Sequence, residues 1–207
     1  MEPFTIVTGI AAPLLRDNID TDAIIPSRET QSVARTGYGE KLFANWRYTP
    51  GTRIETPDFV LNREPYRQAK ILISRDNFGC GSSREAAVWS LAQFGMRCVI
   101  AESFGNIFRN NCIRNGFLPV VLPPEAITKL AALAEAGAQI TIDLQRCEVR
   151  TPDGEAWSFT IGALERDMLL EGLDEVALTL KRRAEIEAFQ KEDRVKRPWI
   201  YELERGR

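Results

Sequence analysis

Two adjacent hydroxyls and a guanidinium follow two glycines in the stretch Asp76-Asn77-Phe78-Gly79-Cys80-Gly81-Ser82-Ser83-Arg84-Glu85. Glycine admits backbone conformations closed to other residues and lets a ligand approach closely. The free N–H groups and the dipole at a helix start favour an anion, and the planar fork of Arg84 suits a carboxylate. The same residues also carry a purely structural reading. Ser82 with Glu85 three residues later is a capping box, in which the hydroxyl takes an orphan N–H and the glutamate reaches back. Spacing alone supports an anion site or a helix cap.

Other residue types limit the chemistry further. The chain has no histidine, which excludes serine–histidine and cysteine–histidine catalysis and removes the commonest metal ligand. Acid–base work then falls to Ser, Asp, Glu, Lys or a partner's residues. Cys80, Cys98, Cys112 and Cys147 are too widely spaced for a paired zinc or iron–sulfur motif. Cys98 sits in an apolar run and reads as buried filler. Cys80, in the glycine loop near a helix start, is where a thiolate would be stabilised, although no neighbouring histidine exists to activate it. Asp20 and Asp22, two apart, read as turn and cap residues rather than metal ligands.

The elements that must position this loop follow from hydrophobic periodicity. Lys70 to Ser74, Arg97 to Ala101 and Pro119 to Leu122 read as strands, with helices between them that stop at Gly95 and Gly116. That is a parallel βαβαβ core, and its strand-to-helix junctions are where open α/β sheets place ligands. A first strand spans Phe4 to Thr8. Another helix runs from near Pro124 to Glu135, and strands at Gln139 to Leu144, Glu148 to Arg150 and Trp157 to Ile161 form an antiparallel portion. Ser27 to Gly51 reads as a long ordered excursion with a short helix. An amphipathic helix covers Asp174 to Lys191, and the tail Lys196 to Tyr201 is either solvated or a strap for a partner. The expectation is one α/β domain over residues 1–207, with a C-terminal helix and tail from about 174.

Lys and Arg number 27 against 29 Asp and Glu, a net charge of −2, so no basic stripe suits a row of phosphates and nucleic acid is not an expected partner. No apolar run is long enough to cross a membrane, and residues 1–4 lack the character of a signal peptide. A soluble cytoplasmic protein is expected.

Four separated blocks resemble the small-subunit family of 3-isopropylmalate dehydratases, in the aconitase superfamily. They are Asn18 to Pro26, Asp58 to Arg63, Asp76 to Glu85, and Ser103 to Cys112 with Asn115 to Pro119. Glu171-Gly172-Leu173-Asp174 and the helix after it are also similar to the family's C-terminus. The resemblance implies a swivelling β/β/α three-layer domain that closes over an aconitase-type active site. It implies a heteromer, in which no cofactor sits in this chain and a [4Fe-4S] cluster belongs to a separate large subunit. It further implies a dicarboxylate substrate, with Ser82 as the alkoxide-type base, Ser83 as a substrate hydrogen-bond donor and Arg84 as the carboxylate clamp. The reaction would interconvert 2- and 3-isopropylmalate in leucine synthesis.

Two stretches depart from the family pattern. Ala86-Ala87-Val88-Trp89 stands where a histidine, often followed by Ala-Pro-Trp, is usual. Ser27 with Arg28, Glu29, Thr30 and Gln31 replaces a loop with an aromatic-leucine pair that meets the substrate side chain. A polar loop is a poor lining for an isopropyl group. Three readings stay open: isopropylmalate dehydratase, a related hydro-lyase for another substituted malate such as citramalate or dimethylmalate, and a non-catalytic assembly or regulatory relative.

Overall fold

A computed structural model of the chain describes residues 1–31 and 36–201. Seven strands, β1 (Ile6–Pro13), β2 (Ile71–Ile73), β3 (Cys98–Ala101), β4 (Leu118–Val121), β5 (Gln139–Asp143), β6 (Glu148–Arg150) and β7 (Ala156–Ser158), form one mixed sheet in the order β4-β3-β2-β1-β5-β6-β7. The sheet changes character within β1. Its first five residues pair antiparallel with β5, from Ile6 opposite Asp143 to Ile10 opposite Gln139. Its last three, Ala11, Ala12 and Pro13, pair parallel with Ile71, Leu72 and Ile73. One strand thus serves two subsheets, parallel β1 to β4 and antiparallel β1 with β5 to β7.

Helices α1 (Thr21–Ile24), α2 (Ala44–Arg47), α3 (Glu85–Phe94), α4 (Asn106–Arg114), α5 (Pro124–Glu135) and α6 (Ala163–Glu171) complete a unit from Met1 to Gly172. Side chains on a strand alternate between faces. Ala12, Leu72, Val99 and Ala101 share one buried cluster with Ala87, Val88 and Leu91 of α3 and Phe108 and Cys112 of α4. Their alternates Ile71, Ile73 and Ile100, equally buried, lie on the other face. Helix α5 buries Ala126, Ile127, Leu130, Ala131 and Ala134 and crosses β1, β2 and β5. A second unit, from Leu173 on, holds α7 (Glu175–Leu180) and α8 (Arg183–Lys196), with Tyr201 folded onto α8 through its hydroxyl to Asp193 Oδ2 at 2.9 Å.

The expected βαβαβ core is present, with its strands within a residue or two of the expected positions. Four expectations need correction. The last strand, expected at Trp157 to Ile161, is β7 at Ala156–Ser158, where it pairs with β6. The first strand lies at Ile6–Pro13, not Phe4 to Thr8, because pairing with β2 recruits the small residues Ala11 and Ala12, whose own strand preference is weak. Helix α6 was not expected. It ends on Gly172 in a left-handed conformation (φ 67°), and its Glu165 accepts from Gly162 N–H at 3.3 Å and holds Arg109 of α4 by two 2.7 Å bonds. The expected helix from 174 to 191 is two helices. Between Leu180 and Ile186 the apolar stripe turns by about 240° around a continuous helix, so one straight helix cannot keep both halves on one face.

The loops after β2 and β3 meet through bare backbone. Gly79 has φ 74°, and a Cβ there would lie 2.2 Å from the Phe108 ring, while a Cβ on Gly105 would lie 2.6 Å from Gly79 O. Gly79→Ala combines a disfavoured backbone with a clash against a fully packed ring, so it is expected to lower stability by about 2 to 4 kcal/mol. A urea titration followed by far-UV circular dichroism reads this directly, and a loss under about 1 kcal/mol would show that the Phe108 contact yields easily.

Candidate active site

At the carboxyl ends of β1, β2 and β3, three loops are joined by backbone hydrogen bonds. Asn18 N–H donates to Asp76 O (2.9 Å), Gly79 N–H to Ile19 O (2.7 Å) and Thr21 N–H to Cys80 O (2.9 Å). Phe78 N–H donates to Ser103 O (3.1 Å) and Gly105 N–H to Phe78 O (2.9 Å). The segment from Asp76 to Arg84 is therefore held on one side by the loop after β1 and on the other by the loop after β3. Gly81, at φ 88°, turns the chain beside Asp20 and Thr21.

The capping-box reading does not hold. Helix α3 starts at Glu85 with Arg84 as its N-cap residue, and no side chain caps it. The Glu85 carboxylate instead accepts from Asn115 Nδ2 at 2.9 Å. The Ser82 carbonyl accepts from Thr21 Oγ1 (3.0 Å) and Arg84 N–H (2.8 Å), which fixes the peptide while leaving Ser82 and Ser83 exposed.

Arg84 is partly covered, and its partners come from the loop after β1. Nη1 is ion-paired to Asp22 and donates to Ile25 O at 3.4 Å. The Nε–Nη2 edge, the one that grips a carboxylate side-on, has no partner among the described residues. The hydrogen bond from Arg84 holds the Asp22 carboxyl below its ordinary range, against the opposing effect of burial, and the Ser27 backbone N–H adds to the lowering. Asp22 thereby links Arg84 to the start of the loop 27–31. The sequence leads one to expect turn residues at both aspartates. Asp20 is one, accepting from Ala23 N–H at 2.6 Å as the cap of α1, whereas Asp22 is turned to Arg84 instead. The cap needs only one of the two carboxylates, which was the available signal.

Ser27–Thr30 form a single 3-10 turn, closed by Glu29 N–H to Pro26 O (2.8 Å) and Thr30 Oγ1 to Ser27 O (2.8 Å), with Gln31 just beyond. Arg28 and Glu29 border an open pocket of about 600 Å³ whose other wall is Ala44 to Arg53. Ser82, Ser83 and Arg84 do not border this pocket; they join the loop through Asp22 and Ile25. Position 86, where the resemblance leads one to expect histidine, packs as Ala86 against the central cluster.

Cys80 corrects another expectation. Partial burial, with the Asp20 carboxylate adding to it, pushes its thiol up, so the loop does not favour a thiolate. Cys98 and Cys112 are fully buried and their thiols lie well above the usual range, chiefly through burial. Among the described residues no three His, Cys, Asp or Glu side chains gather as ligands.

Residues 1–125 match the model of the aconitase C-terminal domain, and residues 128–163 match LeuD_N. The small subunit of 3-isopropylmalate dehydratase from Cupriavidus necator is 58% identical over 205 residues, covering 97% of this chain and 99% of the relative. That of Rhodospirillum centenum is 49% identical, covering 96% and 98%. The crystal structure of 3-isopropylmalate dehydratase from Methanocaldococcus jannaschii superposes with a TM-score of 0.65 at 28% identity, over 89% of this chain and 99% of that one. With identity this high along nearly its whole length, and with the glycine loop, Ser82 and Arg84 gathered at the ends of a parallel subsheet, the chain belongs to the 3-isopropylmalate dehydratase small-subunit family of the aconitase superfamily.

Proposed function

We propose that the chain is the small subunit of a hydro-lyase that interconverts 2- and 3-isopropylmalate by dehydration and rehydration, in leucine synthesis in the cytoplasm. The observation that carries this reading is the state of Arg84. Its Nη1 is occupied by Asp22 and the Ile25 carbonyl, which leaves the Nε–Nη2 edge without a partner among the described residues, two positions along the chain from exposed Ser82. Dehydration of such a substrate removes a proton α to a carboxylate. Ser82 Oγ, ionised to the alkoxide, takes that proton and becomes the neutral hydroxyl, Ser83 donates a hydrogen bond to the substrate, and Arg84 clamps the carboxylate. A serine hydroxyl becomes a base only in a dry, cationic, preorganised site. Arg84 supplies one cation. Exclusion of water from the exposed loop requires the large subunit, which in this reading would also hold the [4Fe-4S] cluster and supply a Lewis acid for the leaving hydroxyl.

The loop Arg28 to Gln31 meets the substrate's substituent in this reading. Its polarity favours a second reading within the same chemistry, a malate with a smaller or more polar substituent such as citramalate. Discrimination by hydrophobic contact is worth only about 1 to 3 kcal/mol per methylene-sized change, whereas hydrogen-bond mismatch discriminates more strongly.

Ser82→Ala, assayed with the large subunit, is expected to lower turnover by about 10²- to 10⁴-fold. Its effect on stability should stay within about 0.5 kcal/mol, because the side chain is exposed and caps no helix. Arg84→Lys should mainly raise KM, since an ammonium cannot reproduce the bidentate fork. Near-normal turnover of Ser82→Ala would remove the serine from the mechanism.

Because the folded-state pKa of Asp22 lies below its unfolded value, its pair with Arg84 stabilises the fold fully above the unfolded value and fades as pH falls through the folded one. The carboxylate is half exposed, so screening keeps the contribution below about 1 kcal/mol. Asp22→Asn is expected to be slightly less stable than wild type at pH 7, with the two converging as pH drops below about 4. Denaturation midpoints measured across pH check this, and a gap that does not narrow as the pH falls would contradict it.

The isolated chain is expected to bind no iron and show no hydro-lyase activity until a large subunit is supplied. Iron and sulfide in stoichiometric amounts after anaerobic reconstitution and gel filtration of this chain alone would overturn that assignment.

A further inference from the structure

We propose that Arg53 is a positioning residue for substrate discrimination, holding the loop Arg28 to Gln31 in place through Glu29. This rests on the reading above that the loop meets the substrate's substituent. The loop is a single 3-10 turn with little of its own to fix it, since such short pieces are weakly bonded internally. Yet the Glu29 side chain is only 13% exposed. Its Oε2 takes Arg53 Nη2 at 2.7 Å, while Oε1 lies 3.6 Å from Arg28 Nε. The Glu29 carbonyl accepts from Lys41 Nζ at 2.8 Å. Glu29 is thus tied to two segments that lie 12 and 24 residues further along the chain.

Arg53 is itself well placed to anchor. It sits in a turn closed by Thr49 N–H to Ile54 O (2.8 Å), Thr52 N–H to Thr49 O (3.0 Å) and Ile54 N–H to Thr52 Oγ1 (3.1 Å). Its guanidinium lies over the Tyr48 ring, 5.1 Å from the centroid, and the Tyr48 hydroxyl donates to Glu40 O at 2.9 Å. The ion pair therefore bridges the two walls of the pocket between Arg28–Glu29 and Ala44–Arg53. Arg53 borders this pocket and has no contact with Ser82 or Arg84, so its loss should alter selection of the substituent rather than proton removal.

The test uses the full chain assembled with its large subunit. Arg53→Met should raise hydrogen exchange of the segment 26–31 by about two- to fivefold, the loss expected for a partly exposed ion pair. It should shift the ratio of kcat/KM for isopropylmalate over citramalate while leaving the pH profile of kcat in place. Arg53→Lys should restore part of both effects, and Lys41→Met added to Arg53→Met should enlarge the exchange effect. The companion variant Glu29→Phe with Thr30→Leu tests the underlying reading. If that variant moves the ratio and Arg53→Met does not, Arg53 is not a positioning residue and the reading of the loop survives. If neither moves it, the loop does not meet the substituent, and both fall. Unchanged exchange at 26–31 in Arg53→Met also overturns the proposal.

Discussion

The whole site depends on backbone hydrogen bonds between two loops that are far apart in sequence. Gly79 N–H to Ile19 O and Thr21 N–H to Cys80 O join the segment after β1 to the segment after β2 as a short, irregular extension of the parallel pairing. Because both loops leave neighbouring parallel strands in the same direction, they arrive side by side without a long search. The glycines make the approach possible. Gly79 presses its backbone against Phe108 and Gly105 against Gly79, and any side chain at either point would separate the loops. Ser82 owes its position to this contact rather than to the helix that follows it.

The electrostatics follow from the same apposition. Asp22 reaches Arg84 only because the two loops are stitched together, and the pair is more than a neutralisation of charge. A guanidinium offers several donors in a rigid plane. By taking one of them, Asp22 and the Ile25 carbonyl orient the rest. An arginine anchored at one nitrogen loses less freedom when it binds a carboxylate than one that must be ordered from solvent. The Ser27 backbone N–H adds to the lowering of the Asp22 carboxyl, so the carboxylate that holds Arg84 also feels the start of the loop 27–31.

Much of this was legible in the residues. The parallel strands showed as short β-branched runs between helical patterns, and β6 and α5 fall where periodicity puts them. The glycine loop stood out by composition, and it lies at the carboxyl ends of the parallel strands. Other features were hidden for physical reasons. The capping box failed because Asn115, thirty residues away, takes Glu85, and a local pattern cannot reveal a tertiary competitor. Helix α6 has a weak apolar stripe and is secured by Arg109 from another helix. Asp22 and Arg53 act through partners 62 and 24 residues away, which spacing within a motif does not encode.

The division of β1 has a consequence for how the chain assembles. Ala11 to Pro13 find β2 about sixty residues on, and β3 and β4 add to that edge in chain order. Ile6 to Ile10 have no strand partner until Gln139 to Asp143 exist, so closing that pairing requires a very long loop. On a ribosome the parallel half, and with it the loops that hold Ser82 and Arg84, is complete while the first five residues of β1 still present an unpaired edge. Such an edge is a template for pairing with another chain. Slow elongation between residues 121 and 139 would lengthen that exposure, making the step from β4 to β5 the interval in which this protein most needs protection from its neighbours.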